Sequence, residues 1–364
     1  MLRHILSLSM IVLTLVFGGL SAKPGKAPAF NAVSVYGSWL CGNDYCTWSS
    51  VRNMTDFDTK NHWLIDRGNS QPPSVNYVVL SFVHPLRLLN KTNDAGTSLG
   101  IPIGMNQAVV DYFKTRGVRV ALSIGGITYT DAWNQALSTN PTQLGLNAAE
   151  AAQRLGVGIE IDYEASTNPN LTGLQAFINA YRSVLPYDAS GSNHAARLTI
   201  DLAAGDRWLI DLTRKATADW LNTTTPVLDY ANAMVPSKQP SSAATAEGNW
   251  QEHVDGKPQF APPILPLAPA KFTGALYIVT GSRPAPECTN FSSSLISPTG
   301  TYVQTVAPNG AGTTSGMLGY MFWAAECPST RGVCTTPPNT CQGGVGVGAQ
   351  TYNMPIPMPP LRQN

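Results

Sequence analysis

Three acids stand at alternate positions in GIEIDYE, residues 158–164: Glu160, Asp162 and Glu164. Side chains two apart on a β-strand leave the same face, so the acids share one face while Ile159, Ile161 and Tyr163 share the other. Branched and aromatic residues between the acids favour a strand over a helix. If the apolar face is buried, the acid face meets either water or an enclosed cavity. In a cavity, carboxylates this close cannot all ionise, and one keeps a proton near neutral pH, which makes it a general acid. Glu164, last in the row, is the member best placed to protonate a leaving group. Asp162 below it would help to keep it protonated and would meet a substrate amide. The competing reading is a buried acid cluster paired with lysines or arginines, and spacing alone does not separate the two.

A strand of this kind needs neighbours. Short apolar, β-branched segments recur at 32–39, 75–83, 117–126, 156–164, 197–205, 228–235, 273–281 and 316–324. Amphipathic stretches such as 105–116 and 171–185 lie between them; Leu174, Phe177, Ile178 and Tyr181 keep the spacing of one helix face. Alternating strands and helices imply parallel strands, and eight such units suit an α/β fold of the (β/α)8 TIM barrel type; an open doubly wound sheet is the alternative. In such a barrel the catalytic groups gather at the C-terminal ends of the strands. The acid stretch is the fourth strand, with Glu164 at its C-terminal end.

The chain of 364 residues is long enough for a large core, with 43% hydrophobic and only 12% charged residues. A net charge of +1 offers no electrostatic footprint for nucleic acid. Residues 1–22 have the basic start, apolar run and small-residue end of a signal peptide, with a signal anchor as the rival. The expected product is secreted, with no membrane attachment after cleavage. A short leader covers 23–31, the barrel 32–326, and a Cys-, Pro- and Gly-rich tail 327–364. Six cysteines suggest three disulfides, Cys41 with Cys46 locally and the other four unassigned. Without a Cys-x-x-Cys pair or clustered histidines, no metal site is expected, and no motif points to a cofactor. Asn53, Asn90, Asn170, Asn222 and Asn290 head Asn-x-Ser/Thr sequons in stretches that read as loops or helix edges.

Four motifs in order resemble glycoside hydrolase family 18. GIEIDYE is similar to that family's D-G-x-D-x-D-x-E, ALSIGG (Ser123, Gly125, Gly126) to its S-x-G-G, LDYANAM (Asp229, Met234) to the start of its strand-six motif, and GYMFW, ending in Trp323, to its G-x-M-x-W. The similarity runs along nearly all of residues 32–324. It implies chitin or chito-oligosaccharides as partners, cleaved with retention by a substrate-assisted route in which the sugar's acetamido oxygen attacks the anomeric carbon. Glu164 would be the acid, Asp162 would orient the acetamido group, and Trp323 would floor the distorted sugar. Glu160, Tyr36, Phe82, Gly126, Met234 and Met321 complete the implied substrate-binding set.

The chain also departs from this pattern. Val157 stands for the signature's first acid and Glu160 for an aspartate, while Pro236 and Ser237 replace a tyrosine and an acid or amide. Proline cannot donate the hydrogen bond that the tyrosine would give, and one lost donor of this kind costs a factor of about 10² to 10³ in rate. Tyr129 or Tyr36 are candidate substitutes. The strand-seven to strand-eight connection is short, so a shallow groove is expected, walled by the stretch 236–266 with Trp250. A chitinase is therefore the first reading. A chitin-binding lectin or effector on the same scaffold is the second, and an endo-β-N-acetylglucosaminidase acting on N-glycans is the third.

Overall fold

All eight apolar segments form strands: β1 (Val35–Leu40), β2 (Tyr77–Val83), β3 (Arg119–Gly125), β4 (Gly158–Asp162), β5 (Leu198–Ala203), β6 (Ala231–Met234), β7 (Phe272–Tyr277) and β8 (Gly319–Trp323). The structure is a computed structural model that describes residues 35–42, 44, 46–65, 75–203, 208–234, 243–277 and 316–323. The strands pair in parallel in chain order, and β8 closes on β1 with Val35 opposite Gly319 and Ser38 opposite Phe322. The sheet is a closed (β/α)8-type barrel. Closure leaves no sheet edge, which excludes the doubly wound alternative.

Helices cover the outside: α1 (Met54–Ile65), α2 (Pro85–Leu89), α3 (Gln107–Lys114), α4 (Thr130–Thr139), α5 (Pro141–Leu155), α6 (Leu171–Val184), α7 (Ile210–Lys215) and α8 (Ala243–Asp255). Asparagines start three of them. Asn106, Asn140 and Asn170 accept from the backbone N–H groups of Val109, Gln143 and Gly173, at 3.3, 3.0 and 2.9 Å. Leu174, Phe177, Ile178 and Tyr181 are all buried, as their spacing predicts. Burying one such side chain contributes roughly 1.5–3 kcal/mol.

Two apolar layers result. Outside the sheet, Ile159, Ile161 and Tyr163 of the acid stretch pack with Trp133 and Phe177 in the core between strands and helices. Inside the barrel, a smaller cluster joins Val35, Trp39, Tyr77, Val79, Ala121 and Met321. The acid face therefore points inward. At the N-terminal end of β5 and β6, Asp229 bridges Arg197 at 2.7 Å and Arg182 at 3.1 Å and accepts from the Leu198 N–H. These two arginines thus pair with Asp229. Among the described residues no lysine or arginine forms an ion pair with the acids of β4, contrary to the competing reading.

Two expectations need correction. The stretch expected to wall a groove contains α8, and Trp250 is fully buried rather than lining an opening. Gly274 of β7 leaves the space for it, since a β-carbon there would lie 2.5 Å from the indole. The fourth strand also stops at Asp162, so Glu164 stands two residues beyond it. There the Asp162 carbonyl makes the last bond of the β3–β4 ladder, accepting from Gly126 N–H at 3.0 Å, and accepts also from Trp133 Nε1 at 3.1 Å.

The Cys41–Cys46 disulfide forms as expected. Four sequon asparagines sit at helix boundaries or in loops: Asn53 caps α1, Asn90 ends α2, Asn170 caps α6, and Asn222 follows a helical end. Residues 1–31, the tail 327–364, the other cysteines, Asn290, Pro236 and Ser237 lie outside the described residues. Among those described, no helix is long and apolar enough to cross a membrane.

Candidate active site

Glu160 is the deepest of the three acids and is fully buried. Its two oxygens accept from Trp39 Nε1 of β1 at 2.7 Å and from Asn232 Nδ2 of β6 at 2.5 Å. Thr273 Oγ1 of β7 donates to Asn232 Oδ1 at 2.7 Å and so fixes which end of that amide faces Glu160. Ser123 of β3 stands opposite Glu160 in register. Glu160 is thus tied into the barrel floor by side chains from three other strands. Burial pushes its carboxyl up to about 7, and these donors hold it from rising further.

Asp162 lies one step nearer the mouth and is 3% exposed. Gly125 and Gly126 make its position possible. A β-carbon on Gly125, which has φ +121°, would sit 1.9 Å from the Asp162 carbonyl oxygen. Gly126, at φ +93°, donates its N–H to that oxygen, and a β-carbon on it would lie 3.2 Å from the Phe82 ring. These are the two glycines of the S-x-G-G motif, and L side chains rarely adopt either conformation.

Glu164 is half-buried at the mouth. Its carboxyl lies beside the Ile127 backbone N–H and the Asp162 carboxyl. Burial pushes it up to about 7, against the pull of Asp162 and Ile127. Asp162 is raised well above the usual carboxylate range by burial first, then by the charges of Glu164 and Glu160. Asp162 is the deeper of the two and has a buried carboxyl oxygen with no donor, so burial disfavours its ionised form strongly, while Glu164 is raised as its place in the row predicts. As a coupled pair, the two release protons in steps that belong to both.

Aromatic rings line the same interior. Trp323, at the end of β8, stacks on Phe82 of β2 with centroids 5.6 Å apart and planes 23° apart, and lies 6.2 Å from Trp39. Met321 is fully buried lower in the barrel, its sulfur 2.4 Å from where a Gly37 β-carbon would be, so it packs the floor. Met234 ends β6, half-buried against the outer core. Tyr36 pairs with Tyr320 in the β1–β8 ladder, and its side chain lies outside the described set. Tyr129 packs 4.7 Å from His84, whose Nδ1 accepts from the Leu86 N–H.

Sequence reasoning missed Trp39, Asn232 and Asp201. Asp201 on β5 is 1% exposed and faces Glu160 and Asp162. Its signal was present: Arg197, Thr199 and Asp201 alternate through an otherwise apolar strand, as the acids do on β4. Among the described residues, no group of three His, Cys, Asp or Glu side chains is arranged to hold a metal ion. A shallow groove lined by Leu171, Gln175, Asn179 and Lys215 lies along α6, on the outside of the barrel and away from these acids.

No protein-family model matches the chain, and no curated protein does. Among solved structures, the chain is similar to a GH18 chitinase from Pseudoalteromonas aurantia, at 13% identity and a TM-score of 0.48 over 69% of this chain and 86% of that one. It is similar to a chitinase from Bacteroides thetaiotaomicron at 13% identity and a TM-score of 0.45, over 81% and 89% of the two chains. It is also similar to the Bacillus cereus spore cortex-lytic enzyme SleL, at 11% identity and a TM-score of 0.47 over 83% and 73%.

Proposed function

We propose that this chain is a secreted glycoside hydrolase of the family 18 type, acting on chitin or chito-oligosaccharides. The supporting observation is the Asp162–Glu164 pair at the C-terminal mouth of a closed barrel, both carboxyls raised, with the stacked Trp323 and Phe82 rings in the same interior. An aromatic face suits the apolar face of a pyranose. A carboxyl near 7 suits a general acid at ordinary pH.

In this reading Glu164 gives its proton to the glycosidic oxygen as the bond to the anomeric carbon breaks. The substrate's acetamido oxygen closes on that carbon, and its N–H is accepted by Asp162. For Asp162 to accept, its proton must leave. Transfer to a Glu164 carboxylate ionises Asp162 and reloads the acid in one movement, with no change in total charge. Water then opens the cyclic intermediate with Glu164 as base, and the anomeric configuration is retained. Glu160, held by Trp39 and Asn232, lies beneath this pair and acts through it.

The second reading, a chitin-binding lectin or effector, is favoured by one feature, Pro236 in the place of a donor tyrosine. Chitotetraose offered to the purified mature chain and to Glu164→Gln separates the two. Wild type is expected to release shorter oligosaccharides, and Glu164→Gln to lose a factor of about 10² to 10⁴ in kcat while still binding. Equal, negligible product from both with binding intact would leave the lectin. Release of intact glycan from a high-mannose glycoprotein, with chitotetraose untouched, would move the substrate to N-glycans.

A further inference from the structure

A fourth acid shares the barrel interior. Asp201 stands in register with Asn232 on β6, and both of its carboxyl oxygens are buried without a hydrogen-bond partner. Its neighbour Glu160 accepts from Trp39 and Asn232. As ionised groups, Asp201 and Glu160 have no hydrogen to offer each other, although both carboxyls are buried in the same interior on adjacent strands and interact there. A single proton between them supplies the missing bond. Glu160 accepts from two N–H donors, whereas the Asn232 amide beside Asp201 gives its hydrogen bond to Glu160, so the proton belongs on Asp201.

The surrounding charges agree. Glu160, Asp162 and Glu164 all face Asp201 and disfavour its ionised form, after burial itself. Asn232 on β6 is neutral. Below, Tyr77, Tyr230 and Arg197 interact with one another and the two tyrosines with Glu160. Outside β5, His253 of α8 is held neutral by burial beside the Ala203 backbone. Among the described residues no cation pairs with Asp201.

We propose that Asp201 is a positioning residue of the acid site, carrying a proton that it donates to Glu160 so that the two share one negative charge beneath Asp162. Three donors then hold the Glu160 charge, and Asp162 faces one repelling neighbour instead of two when it gives up its own proton. The consequence for rate rests on the hydrolase reading above; the protonation does not.

Urea unfolding of the full chain and of Asp201→Asn, from pH 5 to 7, tests the proton. A carboxyl protonated in the fold and ionised when unfolded makes the wild-type unfolding constant rise with pH. Its ratio to that of Asp201→Asn should climb by up to tenfold per pH unit above the unfolded aspartate value of about 3.9. A flat ratio overturns the proposal. Selective ¹³C labelling of aspartate carboxyls locates the proton: the resonance lost in Asp201→Asn should hold a protonated shift at pH 7. An ionised shift, with the proton left on Glu160, also overturns the proposal. Should Asp201→Asn not fold, Asp201→Ser supplies the same comparison.

The positioning role has its own readout with chitotetraose. Asp201→Leu should lower kcat at least tenfold more than it changes KM and shift the kcat–pH profile, and Asp201→Asn should restore both. A Leu variant with wild-type kcat and profile would remove the role. A wild type that does not hydrolyse sinks the hydrolase reading, yet leaves the unfolding and resonance tests to be read.

Discussion

Glu164 and Asp162 carry the strongest chemical claim at the scale of single residues, and it has a sign in pH. An acid catalyst works while protonated, and burial pushes Glu164 from its ordinary value up to about 7. Hydrolysis should therefore hold while the Asp162–Glu164 pair keeps its last proton and fall as that proton leaves, well above the ordinary carboxylate range, with kcat/KM on a short chito-oligosaccharide giving that alkaline limb. A limb near the ordinary glutamate value of about 4.3 would remove Glu164 as the acid. The alternation of Glu160, Asp162 and Glu164 was legible because period two is the signature of a strand face. Their unequal proton affinities were not, because these depend on depth and on donors from other strands: Trp39 is 121 residues away from Glu160 and Asn232 is 72 away.

The glycines after β3 act at the scale of elements. They let the end of β3 lie against the carbonyl of Asp162, the last residue of β4 before Glu164 at the mouth. Gly125→Ala would place a β-carbon within 1.9 Å of that oxygen and 2.3 Å of Trp133 Nε1, on a backbone at φ +121°. Strained backbone and overpacking each cost about 1–3 kcal/mol, so the variant should lose about 2–6 kcal/mol in urea unfolding, or fail to fold. A loss below about 1 kcal/mol would mean that the turn relaxes freely. The eight strands were legible from apolar clustering, but the strand drawn through to Glu164 ran too far. Residue types continue the pattern there, while the β3–β4 ladder ends at the Gly125–Asp162 pair. Trp250 was misread for a related reason: a polar, proline-bearing stretch hides an amphipathic helix whose indole fits a slot that a glycine on another strand provides.

At the scale of the whole molecule, the two ends of the barrel differ, with the acid cluster toward the mouth and an ion-pair network below. The buried Asp229 accepts from the buried Arg197, the half-buried Arg182 and a backbone N–H. Removing one partner of a buried ion pair strands the other and costs about 3–5 kcal/mol. Asp229→Ala should show that loss in urea unfolding while, if it folds, keeping the alkaline limb of hydrolysis unmoved. A shifted limb would connect the floor to the mouth.

The sequence by itself determined the strand and helix succession, the inward face of the acid stretch, the local Cys41–Cys46 bridge and the glycine pair beside the acids. Each of these follows from local periods or short-range geometry. Only the tertiary structure decided that the sheet closes, that Arg182 and Arg197 go to Asp229, that no described cation pairs with the acids, that Trp250 is core, and that Asp201 joins the cluster. These outcomes depend on which strands become neighbours, and burial and proton affinity are properties of the neighbours that closure brings together.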